Sequence, residues 1–151
     1  MQVKIKLIED GKIPVKGEKN AMCWDCYVRK IEHLENGKVK CYLGFAATPP
    51  QGYGIRLIPR SNLTKYFWVL NNSVGIGDED YKNEYLAIFT PLPKRNISIP
   101  QFSTGLDLFP YEAGDRVCQM EIYKREDLEF EQVEELPGND RGGGMGSTGL
   151  K

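Results

Sequence analysis

The chain is expected to be all-β, and three observations carry that expectation. Apolar residues recur at every second position, nine prolines stand where they would interrupt any long helix, and glycines and prolines separate many short runs. Val3, Ile5 and Leu7 alternate with Lys4 and Lys6 in the first run. Val39, Cys41, Leu43 and Phe45 share one face of KVKCYLGF, read as one strand. YGIRLI, YFWVL, EYLAIF, ISI and LDLF follow as further strands. Cys118, Met120 and Ile122 share one face of RVCQMEIYK. One short helical turn is expected after Pro59, with Ser61 as its cap. Many short strands of this kind make a sandwich or a barrel.

With 151 residues, 40% hydrophobic and 11% aromatic, the chain has enough apolar mass for one domain, placed at 1–137. Residues 90–110 hold four of the nine prolines and read as a long excursion between strands. Residues 138–151 carry six glycines and little apolar mass, which predicts an arm that is mobile until something binds it. Lys plus Arg is 20 against 21 for Asp plus Glu, a net charge of -1. Bulk charge is therefore no basis for binding nucleic acid or an anionic membrane, and neither is expected as a partner. No apolar run approaches the ~20 residues of a membrane span, and MQVKIKLIED does not read as a signal peptide. Cys23, Cys26, Cys41 and Cys118 are then expected as reduced thiols in a cytoplasmic protein. The single histidine, His33, excludes a multi-histidine metal centre.

Several segments bear chemistry. In NDRGGGMGSTGLK, glycines allow close approach of backbone N–H groups to an anion, and Arg141, Ser147 and Thr148 add donors. The same composition also describes a solvated tail. PRSNL sets Arg60 and Ser61 at the start of a helical turn, an anion cradle or simply a capped turn with a surface arginine. GIGDEDYKNE reads as an acidic turn between strands, or as a carboxylate that positions a water or a metal beside Tyr81. GDRVCQ opens a strand with an ion pair, and Gln119 can reach a ligand from it. Cys23-Trp-Asp-Cys26 has C-x-x-C spacing, but neither a redox helix nor a second thiol pair accompanies it.

Taken in order, these segments resemble the five motifs of the trimeric dUTPase family. AMCWDC (21–26) falls where the family has A-G-Y-D-L, and PRSNL is similar to P-R-S-G-L. NSVGIGDEDYKNE (72–84) is similar to N-x-x-G-x-I-D-x-D-Y-x-G-E, GDRVCQ to G-D-R-I-A-Q, and RGGGMGSTG (141–149) to R-G-x-G-G-F-G-S-T-G. The resemblance implies a β jelly roll (a β-clip type barrel) forming a homotrimer, with the 138–151 arm of one subunit closing over a site built by the others. It implies hydrolysis of dUTP to dUMP and pyrophosphate, with Mg²⁺ across the triphosphate.

By motif position, Asp78 would orient and activate the attacking water, and Asp25 would hold Mg²⁺ through the ion's water shell. Arg60, Ser61 and Gln119 would bind phosphates, with Arg141, Gly146, Ser147 and Thr148 closing from the arm. Asn72, Gly75 and the hairpin backbone up to Asp78 would read the uracil, Met145 would cover it, and Tyr81 would lie under the deoxyribose. This chain departs from the family pattern at several positions. Met145 replaces a phenylalanine, Asn62 and Asn83 replace glycines, the arm is one residue shorter before Met145, and 90–110 is longer, a segment that could supply a surface for a protein partner. Gly77 replaces a branched apolar residue, which predicts a looser hairpin. Two alternatives share the fold: a dCTP deaminase, for which Glu84 is the acid to examine, and a nucleotide-binding regulatory protein with weak turnover.

Overall fold

The computed structural model describes residues 1–92, 108–140 and 142. The first strands are β1 (Lys4–Leu7), β2 (Trp24–Tyr27), β3 (Lys30–His33), β4 (Val39–Tyr42), β5 (Phe45–Thr48) and β6 (Tyr53–Pro59). A 3-10 helix, η1 (Ser61–Lys65), precedes β7 (Trp68–Leu70), β8 (Gly75–Gly77), β9 (Leu86–Pro91) and β10 (Arg116–Lys124). All pairings among the described residues are antiparallel. Two four-stranded sheets, ordered β2-β10-β6-β8 and β3-β4-β9-β7, contribute to one apolar core, and β1 pairs with β5 alongside. The all-β expectation holds. Alternation explains the core: Cys26, Ile55, Leu57, Cys118 and Met120 are buried from the first sheet, Val39, Cys41, Ala87 and Phe89 from the second.

KVKCYLGF forms two strands where periodicity predicts one. Gly44 has φ +72, a conformation that favours glycine, and it turns the chain between β4 and β5. Leu43 and Phe45 are both buried, while β4 pairs with β9 and β5 with β1. The helical turn after Pro59 is present, but Ser61 is its first residue and not its cap. Arg60 stands at the cap position without a side-chain cap bond. Leu108 and Phe109 of LDLF are not strand; Phe109 packs its ring 5.1 Å from Trp68 and 5.3 Å from Phe89. The ISI run and residues 93–107 of the 90–110 connection lie outside the described residues.

Glu84 ties three segments together at the entry to β9. Its Oε1 accepts from Arg29 Nε and from the Gly44 N–H, both at 2.8 Å, and its Oε2 accepts from Arg29 Nη2 at 2.9 Å. The fork of Arg29 holds the Glu84 carboxyl below the usual carboxylate range, against an opposing push from burial. A depressed carboxyl adds stability above its unfolded pKa and loses it as pH falls through the folded value. Glu84→Gln is expected to remove about 2–3 kcal/mol and lower Tm by about 5–10 °C at pH 7. Thermal melts across pH should show the gap to the parent protein closing below about pH 4.

Candidate functional site

Register sets the first half of the site. β10 places Gln119 opposite Asp25 of β2 on one side and Ile58 of β6 on the other. Arg60 Nε and Gln119 Nε2 donate to Asp25 Oδ1 at 3.1 and 3.0 Å, and Arg116 Nη1 donates to Oδ2 at 3.0 Å. Arg60 Nη1 also donates to the Arg116 carbonyl at 3.1 Å. Asp25 is only 2% exposed, so its charge is desolvated and these donors replace water. Ser61 is exposed next to Arg60. The ion pair expected of GDRVCQ is present, and Arg116 makes it with Asp25. The register shifts between Arg116 and Cys118; Val117 and Cys118 are both fully buried, while Arg116 reaches the carboxylate that Gln119 also meets. A bulge of this kind leaves no periodic trace in a sequence.

Asp25 fits a magnesium ion in one manner only. An ionised carboxylate offers about four lone-pair sites, and three are taken here. One remains for a water on an ion carried by a ligand's phosphates. Among the described residues no group of three or more His, Cys, Asp or Glu is gathered to hold a metal. The donor set thus suits Mg²⁺ arriving on phosphates, not an ion caged by this chain alone.

The second half lies at the other end of β6. β8 pairs Gly75 with Leu57 and Gly77 with Ile55, which brings Asp78 level with Gly54. An open cleft of about 520 Å³ there is lined by Gly54, Asp78, Glu79, Lys82, Tyr123 and Arg125, among others. Asp78 is exposed, and its carboxylate has no hydrogen-bond or ion-pair partner among the described residues. Glu79 is committed, accepting from the Gly52 N–H at 3.1 Å and pairing with Arg125 at 3.4 Å. Tyr81 is held by its own hydroxyl, which donates to the Glu84 carbonyl at 3.1 Å.

Between the two halves runs the hairpin. Asn72 lies in the turn after β7, where its neighbour Ser73 and Arg60 line one groove of about 420 Å³. Its amide covers Gly75, where a Cβ would stand 3.4 Å from Asn72 Nδ2. The structure therefore gathers Asp25, Arg60, Ser61 and Gln119 at one end of β6 and Asp78 with Tyr81 at the other. From Gly54 to Arg60 the strand advances about 20 Å at ~3.3 Å per residue. One chain does not bring its Asp78 to its own Arg60. Arg141, Met145, Gly146, Ser147 and Thr148 lie outside the described residues.

Two other expectations meet the structure here. All four cysteines are free thiols, and Cys26 faces Cys118 across β2 and β10, its thiol pushed well up by that contact and by burial. A thiol so placed is a poor nucleophile. Glu84 has both oxygens engaged by Arg29, which leaves it badly placed to act as a deaminase base. Truncating Asp25 strands two guanidinium groups. Asp25→Ala is expected to cost about 3–5 kcal/mol in urea unfolding, and Asp25→Asn, which keeps the volume and one acceptor, should cost less.

Comparison with known proteins follows the same lines. No protein-family model matches the chain. A deoxyuridine 5′-triphosphate nucleotidohydrolase of Finegoldia magna is 38% identical over 108 residues, 70% of this chain and 67% of that protein. An SPbeta prophage-derived deoxyuridine 5′-triphosphate nucleotidohydrolase of Bacillus subtilis is 30% identical over 154 residues, 100% of each chain. Among solved structures, a dUTPase of Staphylococcus bacteriophage 80alpha with dUpNHpp superposes with TM-score 0.77 at 20% identity, covering 99% of both chains. A dUTPase from phage phi11 of S. aureus, described with a structural Mg(II) ion, superposes with TM-score 0.71 at 18% identity, covering 91% of this chain and 100% of that one. The structural likenesses bear out the dUTPase-type β fold, and the end-to-end identity with a relative of matching length places this chain in the deoxyuridine 5′-triphosphate nucleotidohydrolase family, the dUTPases.

Proposed function

We propose that the chain is a dUTP diphosphatase, hydrolysing dUTP to dUMP and pyrophosphate, with each active site assembled from more than one copy in a homotrimer. Family membership supports the reaction. The observation that carries the mechanism is a contrast among acids: Asp25 and Glu84 are locked by arginines, whereas Asp78 is exposed and unpaired directly after a paired strand, where its motif position distinguishes it from the equally exposed Asp80. A free carboxylate there is suited to orient a water and take its proton as it attacks the α-phosphorus.

The phosphates go to the other half-site. Arg60 has five N–H donors, of which Nε and one of Nη1 are used within the protein, leaving three for a phosphate. Ser61 and the second N–H of Gln119 stand beside them. Transferring a phosphoryl group spreads charge over its oxygens, and donors fixed beforehand by Asp25 stabilise that charge without reorganising. Asp25 would hold Mg²⁺ through the ion's water shell, and the ion would supply further charge neutralisation at the phosphates. Asn72, Gly75 and the β8 backbone read the uracil edge, a site whose polar groups cytosine leaves unmatched. Tyr81 lies under the deoxyribose. Arg141, Met145, Gly146, Ser147 and Thr148 complete the enclosure from the arm of another subunit.

The separation along β6 supports the shared site. A ligand that needs Asp78 and Arg60 together must take them from different copies, which a closed ring of three provides. Incubation with Mg²⁺ and each of dUTP, UTP, dTTP and dCTP is expected to give pyrophosphate and dUMP from dUTP alone. Ammonia from dCTP would move the chain to the deaminase branch, and binding without turnover to the regulatory one. Asp78→Asn should abolish turnover while dUTP binding survives, as measured by equilibrium dialysis. Subunit exchange tests the shared site directly: inactive Asp78→Asn and inactive Arg60→Ala chains mixed equally should regain activity at about one site in four. No recovery on mixing would place both residues in one chain's site.

A further inference from the structure

Position 77 is where this chain departs from the family pattern beside its key carboxylate, and the structure shows what takes up the space. Tyr85 lies across Gly77 so closely that a Cβ there would meet Tyr85 Oη at 2.2 Å, Cε1 at 2.6 Å and Cζ at 2.8 Å. No residue but glycine fits under that ring. The space of the missing side chain is filled from the next segment. Tyr85 is 4% exposed, stacks on Phe45 at 5.5 Å and meets the edge of Tyr81 at 5.2 Å. Its hydroxyl is the one buried side-chain polar atom among the described residues that has no hydrogen-bond partner. A buried hydroxyl left unpaired is unfavourable, and where it persists it generally serves something other than stability. Phenylalanine would fill the same volume without that penalty.

We propose that Tyr85 is a positioning residue. Its ring and hydroxyl substitute for the side chain absent at Gly77, and in doing so brace both the backbone that aims Asp78 and the Tyr81 ring. This rests on the reading of Asp78 and Tyr81 given above. One side chain thus couples the group that activates water to the group that faces the sugar. Small displacements of such groups are costly to rate, since a shift on the order of 1 Å can lower turnover about a hundredfold.

Two experiments test it. Tyr85→Phe should keep or raise the melting temperature, because an unpaired hydroxyl is removed, yet lower kcat about five- to tenfold with KM for dUTP within about twofold. The ratio of dUTP to UTP turnover should fall with it. Unchanged kcat, or kcat and melting temperature falling together, would overturn the proposal. The second experiment is reciprocal: Gly77→Ile and Tyr85→Val should each lose about tenfold or more in kcat, and the double variant should recover to within about threefold of the parent. A double variant no better than the worse single variant would also overturn it. Failure of the Asp78 reading shows itself separately, as turnover retained by Asp78→Asn.

Discussion

Asp25 is the point on which the site's construction turns. A carboxylate removed from water must be met by donors, and here Gln119 and Arg116 come from β10, the strand paired with β2, and Arg60 from the next strand over, where β6 runs into the 3-10 helix. Each donor is held by an acceptor that cannot turn to solvent. The guanidinium of Arg60 is thereby fixed in orientation before any ligand arrives, although the helix it precedes has no side-chain cap to steady it. A side chain with as much rotational freedom as arginine would otherwise lose that freedom at the moment of binding. The buried ion cluster is thus better understood as preorganisation than as a source of net stability.

A division of labour among acids follows. The chain carries 21 acidic side chains and one histidine, so proton chemistry falls to carboxylates, and the arginines sort them. Asp25 and Glu84 face guanidinium groups; one fixes the donors proposed to bind phosphate, the other fixes the turn at Gly44. Glu79 joins Arg125 and a backbone N–H. Asp78 is left with its lone pairs open to the cleft. Asp80 in the same cleft is likewise exposed and unpaired among the described residues, so the choice of Asp78 rests on its motif position directly after β8.

Much of this was legible in the sequence, and what was not has identifiable causes. The strands β6, β9 and β10 are six to nine residues long, and alternation marks them out. β2, β3 and β8 have four residues or fewer, too short for a period to register, and β8 is two-thirds glycine. Motif resemblance singled out Asp25, Arg60 and Gln119 one at a time. That they form one hydrogen-bonded unit depends on a register between residues 94 positions apart, which no local pattern encodes. The partner of Arg116 was hidden by the bulge that re-aims the arginine, and the turn at Gly44 by the unbroken apolar face of KVKCYLGF. Gly77 is the more instructive case. Read alone it signals looseness; its meaning depends on Tyr85, eight residues on.

That dependence bears on how such a hairpin can change over generations. With a tyrosine overhead, any side chain at position 77 collides with ring atoms; with glycine below, a smaller residue at 85 leaves a void against Phe45 and Tyr81. Each position is held by the occupant of the other, so mutational paths that alter one at a time descend into a valley of fitness. A library built from single substitutions would find both sites intolerant and assign each an importance that belongs to the pair.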